Sequence, residues 1–176
     1  MYWNRKHVLV CTASHCMQKG ANNVAGRLRL EMKRSGLDKD VLVNTCDSID
    51  LCDIGPNIVV YPEQVIYSHV QVSDLKEIME HLRGGEPVQR LMLTPETPEE
   101  AQRESFYRSV VANSDTVPSE RFIEQAAEVG YDEAWINEQA RRGFIARKDA
   151  DGIPTITVTT KALQRYRITV PTNERA

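Results

Sequence analysis

Four cysteines in two pairs are the feature that most constrains how this chain can fold. The pairs are Cys11 with Cys16, and Cys46 with Cys52. Four residues separate the members of the first pair, and five separate those of the second. Cys11 ends one short apolar run, over residues 6–11, and Cys46 follows another, over residues 40–45; each run predicts a buried strand. Because adjacent parallel strands end at the same edge of a sheet, we expect the two pairs to converge there.

The other segments of the first half predict a mixed sheet with helices on its faces. Residues 17–36 predict an amphipathic helix, because apolar side chains recur along them at spacings of three, four and seven. Residues 58–62 and 64–70 predict the two strands of a hairpin. A second helix is predicted from an N-cap at Ser73 to the glycines at 84–85. Strand, helix, strand, hairpin and helix in this order indicate an α/β, thioredoxin-like arrangement.

Four converging thiols suit tetrahedral sulfur coordination, either by zinc or by an iron–sulfur cluster. Structural zinc usually takes pairs that are about two to four residues apart, and the spacing here is looser. A binuclear cluster needs two thiol pairs some distance apart, which two loops at one sheet edge provide. We expect backbone N–H groups after Cys16, at the start of the helix, and at Gly55 to offset its negative charge. The residues alone leave open iron–sulfur, zinc, and unligated or disulfide-bonded thiols.

Two stretches then resemble the thioredoxin-like [2Fe-2S] ferredoxin family over residues 5–94. They are VCTASHCMQKGA and CDIGPNIVVYPEQVIYSHVQVSDLKEIMEHLRGGEPVQRLML. The family motif is matched by Cys52, Gly55-Pro56, Val59-Val60, Tyr61-Pro62, Tyr67, Val70, Gly85-Glu86-Pro87-Val88 and Arg90. The resemblance implies a thioredoxin-like fold, a [2Fe-2S] cluster on Cys11, Cys16, Cys46 and Cys52, electron transfer, and a homodimer.

The second cysteine pair departs from the family's spacing. The family normally places three residues between these ligands, and simple register from Cys52 assigns Ser48 to the ligand position. Either Cys46 is the third ligand through a two-residue insertion, or Ser48 contributes an oxygen. We favour Cys46, because thiolate is the softer ligand.

The resemblance ends near Leu93 and leaves a C-terminal module. The sequence predicts a ferredoxin domain over 1–94, a linker and helix over 95–117, and a small α+β module over 118–176. Within that module, a helix, a strand, a turn at Asp151-Gly152, a second strand and a short helix resemble the end of a winged-helix domain. Several of its residues are basic, so nucleic-acid binding is one interpretation. We favour protein docking or packing.

Composition and charge narrow the class of protein. The net charge of −3 opposes a uniformly basic nucleic-acid-binding surface. No signal peptide or membrane-spanning run is recognised, so we expect a cytoplasmic protein, where disulfides are uncommon. No nucleophile–base–acid set is recognised, so we expect an electron carrier with a redox partner protein rather than an enzyme. The alternatives are a redox-sensing regulator that acts through the C-terminal module, and a zinc-bound structural protein with four cysteine ligands.

Overall fold

The computed structural model describes residues 4–150 and 152–170, and its chain divides into two units, Met1–Thr94 and Pro95–Ala176. The first unit contains a four-stranded sheet with the order β2-β1-β3-β4. Its elements are β1 (Lys6–Cys11), α1 (Ser14–Gln18), α2 (Ala21–Arg34), β2 (Val41–Cys46), β3 (Ile58–Tyr61), β4 (Val65–Tyr67) and α3 (Leu75–Arg83).

Strand pairing in this sheet is mixed, as the sequence predicts. Strand β1 pairs with β2 in parallel and with β3 antiparallel, and β3 and β4 form the predicted hairpin. The parallel register places Cys11 opposite Cys46, so the strand-end cysteines of both pairs meet at one sheet edge. This confirms the predicted thioredoxin-like arrangement of a mixed sheet with helices.

The helices begin and end differently from the prediction. The single helix predicted over 17–36 is two helices, because Gly20 adopts a left-handed conformation with φ 93° between α1 and α2. Ser73 is not the N-cap of α3. A single 3₁₀ turn precedes that helix. A capping box between Gln71 and Asp74 closes the N-terminus of this turn.

The core of the first unit lies between the sheet and helices α2 and α3. Helix α2 contributes the side chains that the sequence periodicity predicts, and β1 contributes Val8 and Val10, both fully buried. Alternate residues of β1 are buried, since successive side chains of a strand point to opposite faces. The core therefore fixes the position of β1, at whose end Cys11 lies.

A buried polar chain crosses the same unit. Lys6 Nζ donates to Glu63 and to His81 Nε2, the latter at 3.2 Å. Because an ammonium group only donates, Nδ1 carries the ring proton of neutral His81 and donates to the Tyr67 hydroxyl at 2.7 Å. That hydroxyl also accepts from the Val88 N–H at 3.1 Å. Burial and the Lys6 charge lower the pKa of His81, so its neutral form is favoured in the folded state.

The second unit combines helices with a three-stranded antiparallel sheet of order β5-β7-β6. Its elements are α4 (Pro98–Val110), β5 (Thr116–Pro118), α5 (Ser119–Glu128), α6 (Glu133–Arg141), β6 (Ile145–Ala150), β7 (Ile153–Val158) and α7 (Thr160–Arg165). Residues 129–132, with Gly130 at φ 84°, connect α5 and α6 in the manner of a helix-turn-helix. Helix α6, the β6–β7 hairpin and α7 follow the order of elements by which the sequence resembles the end of a winged-helix domain. Of the predicted turn, Gly152 has φ 82°, and Asp151 lies outside the described residues.

Helix α4, which the sequence places with a linker, belongs to the core of the second unit. Its Phe106 ring makes edge contacts with the rings of Phe122, Tyr131 and Trp135. At the start of α4, the buried Glu100 carboxylate accepts two hydrogen bonds from Arg165 Nη2, both at 2.9 Å.

No helix in the described part of the chain is long and apolar enough to cross a membrane.

Candidate metal centre

Three of the four predicted ligands converge at the carboxyl end of β1. The sulfur atoms of Cys11, Cys16 and Cys52 all lie within 4.8 Å of one another. Cys11 and Cys16 are fully buried and Cys52 is 4% exposed. The Cys11 and Cys52 sulfurs are 3.8 Å apart, and all four cysteines are free thiols. The unit therefore holds a buried group of soft donor atoms, which the sequence predicts.

Three different elements position these thiols. Cys11 ends β1, where its N–H donates to the Asn57 carbonyl at 3.0 Å. Cys16 lies within α1 rather than before a helix, so the predicted array of helix N-terminal donors after it is wrong. Cys52 begins a single 3₁₀ turn, Cys52–Ile54. The loop from β2 to this turn carries Cys52 back to the end of β1.

Cys46 lies outside the three-thiol group, although its Cα pairs with that of Cys11. Its half-buried sulfur lies 3.8 Å from the Val10 carbonyl. The Ser48 hydroxyl lies 3.7 Å from the Cys52 sulfur and also accepts from the Asp50 N–H at 3.0 Å. Both candidates for the remaining ligand position therefore lie at this end of the sheet.

Gly55 creates the space into which the Cys16 sulfur fits. A Cβ atom added at Gly55 would lie 2.5 Å from that sulfur, well inside van der Waals contact. The Gly55 N–H, which we expected to face a cluster, instead donates to the Cys52 carbonyl at 3.3 Å. Gly55 therefore serves the site through its missing side chain.

Asn57 and Lys19 also contact the site, and sequence reasoning missed both. The fully buried Asn57 donates through Nδ2 to the Leu51 carbonyl at 2.5 Å and lies 3.9 Å from the Cys16 sulfur. Lys19 Nζ donates to the carbonyls of Cys52 and Asp53, at 3.2 and 2.5 Å. Asn57 lies near Gly55 in the sequence and Lys19 lies near Cys16, and this nearness was the available signal. Spacing alone does not show which side chains reach from one loop to another.

The electrostatics of the thiols suit a metal ligand set. Burial raises the pKa of Cys16 strongly, and the hydrogen bonds and charges of Cys11 and Cys52 raise it further. Burial, followed by the charge of Cys11, also raises the pKa of Cys46. Without metal the raised pKa favours the protonated thiols of Cys16 and Cys46, whereas a metal cation offsets the charge of several neighbouring thiolates. The donor atoms and the glycine gap therefore fit a sulfur-ligated metal group.

Comparison with known proteins finds relatives of about half of this chain, although no family model matches it. A 2Fe-2S ferredoxin of Clostridium pasteurianum is 33% identical over 98 residues, which cover 51% of this chain and 96% of the relative. A 2Fe-2S ferredoxin of Aquifex aeolicus is 34% identical over 106 residues, which cover 53% and 93%.

A solved structure is also similar to the chain. The thioredoxin-like [2Fe-2S] ferredoxin from Aquifex aeolicus is 32% identical and covers 52% of this chain and 98% of its own, with a TM-score of 0.49. Nearly the whole length of both curated relatives is thus matched by about half of this chain. With 33% and 34% identity over nearly their whole length, the two curated relatives show that the chain belongs to their family, the 2Fe-2S ferredoxins.

Proposed function

We propose that the first unit holds a [2Fe-2S] cluster and that the chain is a one-electron carrier. The observation that carries this proposal is the convergence of three buried thiols beside a glycine gap. The relatives, which about half of this chain matches over nearly their whole length, are named as 2Fe-2S ferredoxins. The proposed ligands are Cys11, Cys16, Cys46 and Cys52.

When bound, such a cluster supplies a single-electron redox couple, and the protein provides its binding site and surroundings. Strand β1 and the Cys52–Ile54 turn hold two thiols on backbone that is tied by hydrogen bonds. Burial of Cys11 and Cys16 excludes water from the sulfurs, which limits exchange of the ligands with solvent. Asn57 places an amide donor next to the Cys16 sulfur, where it favours the thiolate.

The fourth ligand is the part of the set that rests on chemistry rather than on the contacts observed. We propose Cys46, because two iron atoms need four donors and thiolate is the softest donor at this sheet edge. Its backbone is already in register with Cys11, so ligation needs a change in side-chain direction and in the loop that follows. Ser48 is the competing donor, since its hydroxyl lies beside Cys52.

Paired alanine variants distinguish these two donors. We expect Cys46→Ala to lose most of its bound iron after anaerobic purification, and Ser48→Ala to retain the wild-type amount. Iron and acid-labile sulfide per chain are the quantities to measure. The reverse pattern would assign the ligand position to the Ser48 oxygen and would refute the proposed set.

The second unit is proposed to select the partner protein rather than to bind DNA. Its winged-helix topology is compatible with either role. In a DNA-binding domain of this kind the second helix of the pair enters the major groove. Here Asp132 and Glu133 lie exposed at the start of α6, where they would repel phosphates. We therefore propose that the second unit docks to a redox partner. We also propose that the protein is a cytoplasmic homodimer without substrate chemistry of its own.

A redox titration of the anaerobically purified full chain tests the proposed function. We expect about one electron per chain to be taken up reversibly, with a paramagnetic signal in the reduced state only. A chain that holds stoichiometric zinc and takes up no electrons would support the structural zinc alternative instead.

A further inference from the structure

Lys19 joins the two segments that carry the proposed ligands. It is the C-terminal cap residue of α1, where its N–H donates to the His15 and Cys16 carbonyls. Its side chain then reaches across to the second loop and donates to the Cys52 and Asp53 carbonyls. Lys19 thus connects the segment of Cys16 with the segment of Cys52, which lies 33 residues beyond Lys19 in the chain.

Lys19 carries a positive charge, whereas the acidic residues of the loop around Cys52 carry negative charges. Asp47, Asp50 and Asp53 all lie in the loop between Cys46 and the end of the Cys52 turn. Their carboxylates and a reduced cluster would repel each other. The Lys19 ammonium is held against the peptide group of a proposed ligand, so its distance from the site is fixed by two hydrogen bonds.

We propose that Lys19 is a positioning residue that raises the reduction potential of the site, an inference that rests on the proposed function. Reduction adds one negative charge to the cluster, and a nearby fixed cation stabilises the more negative state. The two hydrogen bonds also draw electron density from the Cys52 and Asp53 carbonyls, which acts in the same direction. Because Lys19 is exposed, added salt screens part of its effect.

Three variants of the full chain test this proposal by their midpoint potentials in an anaerobic redox titration. Lys19→Met removes the charge and both hydrogen bonds, whereas Lys19→Arg keeps a cation with donors. Lys33→Met is the matched control, because Lys33 is an exposed lysine in the last turn of α2, at the other end of that helix from the site. We expect a more negative potential for Lys19→Met, and values near wild type for the other two.

The salt dependence supplies a second readout that a purely structural role would not give. The difference in potential between wild type and Lys19→Met should shrink as ionic strength rises from about 0.01 to about 1 M. If Lys19→Met holds no cluster, Lys19→Gln, which keeps an amide donor, replaces it. A neutral variant with the potential of Lys19→Arg, or a shift of equal size in Lys33→Met, would overturn the proposal.

These outcomes are separable from failure of the proposed function. A wild-type chain without a reversible redox transition would refute the electron-carrier assignment before any variant is compared. A wild-type chain with the expected transition, and no shift in the neutral Lys19 variants, would leave that assignment standing and remove only the role of Lys19.

Discussion

Replacing Gly55 with alanine is the change that most directly probes the packing of the site. The added Cβ would lie 2.5 Å from the Cys16 sulfur, and ordinary contact begins near 3.4 Å, so the sulfur must move by about 0.9 Å. The new methyl group cannot move away instead, since the Cys52 carbonyl oxygen and Asn57 Nδ2 lie 3.3 and 3.4 Å from it. Gly55 has φ −75°, which alanine adopts without strain.

The expected cost follows from this geometry. Overpacking a buried site typically costs about 1–3 kcal/mol, which corresponds to a loss of roughly fivefold to 150-fold in an equilibrium constant. Because the strain falls on the Cys16 sulfur itself, we expect the loss in cluster retention rather than in secondary structure. Iron and sulfide per chain, and the rate of iron loss to a chelator, measure retention. Far-ultraviolet circular dichroism measures the fold.

Gly26→Ala is the matched control for this substitution. Gly26 is an exposed residue of α2, and a Cβ atom there meets no other atom within 4 Å. Alanine in a helix interior is favoured over glycine by about 0.8–1.0 kcal/mol, so this variant should be slightly more stable and retain its cluster. Wild-type retention in Gly55→Ala, or an equal loss in both variants, would refute the packing argument.

Three further predictions concern other parts of the chain. The folded-state pKa of His81 lies below its unfolded value of about 6.5. The first unit should therefore keep its whole stability above that pH and lose stability as the pH decreases below it. Hydrogen exchange of the β1 and α3 amides, corrected for intrinsic rates, measures this stability. Glu100→Gln breaks the buried ion pair with Arg165 and should destabilise the second unit by about 3 kcal/mol, near the lower end of the cost of breaking such pairs. Urea unfolding measures this loss. The full chain should not bind duplex DNA at about 0.15 M salt, as measured by fluorescence anisotropy.

Each of these predictions has a control or a contrary outcome. His81→Gln should flatten the pH dependence below about pH 6.5, and an unchanged slope would assign the effect to another group. Glu99→Gln, at the exposed neighbouring position, should change stability by no more than about 0.5 kcal/mol. Salt-dependent DNA binding by either the cluster-loaded or the metal-free chain would revive the regulator alternative.

The strands and most of the helices could be predicted because their signals are local. Branched apolar runs end at turn residues, and apolar side chains of α2 recur with helical spacing, so β1, β2, the hairpin and α2 follow from pattern alone. The convergence of Cys11 with the segment after β2 followed from parallel pairing, which the strand–helix–strand order requires.

Details of the site could not be predicted, because they depend on contacts between distant segments. The apolar spacing does not reveal the break at Gly20 between α1 and α2, because a single left-handed residue leaves that spacing intact. The spatial role of Gly55 and the crossing of Lys19 exist only once the two loops are folded together. The choice of Cys46 over Ser48 rests on the softness of its thiolate rather than on spacing, because the loop between Cys46 and Cys52 is longer than the family's.

Metal and sulfide analysis of the anaerobically purified full chain shows whether its cysteines hold a [2Fe-2S] cluster. Iron, acid-labile sulfide and zinc per chain are measured on the same sample, together with its visible absorption spectrum. We expect a coloured protein with about two irons, about two sulfides and no stoichiometric zinc. A colourless protein with about one zinc per chain and no sulfide would contradict this expectation.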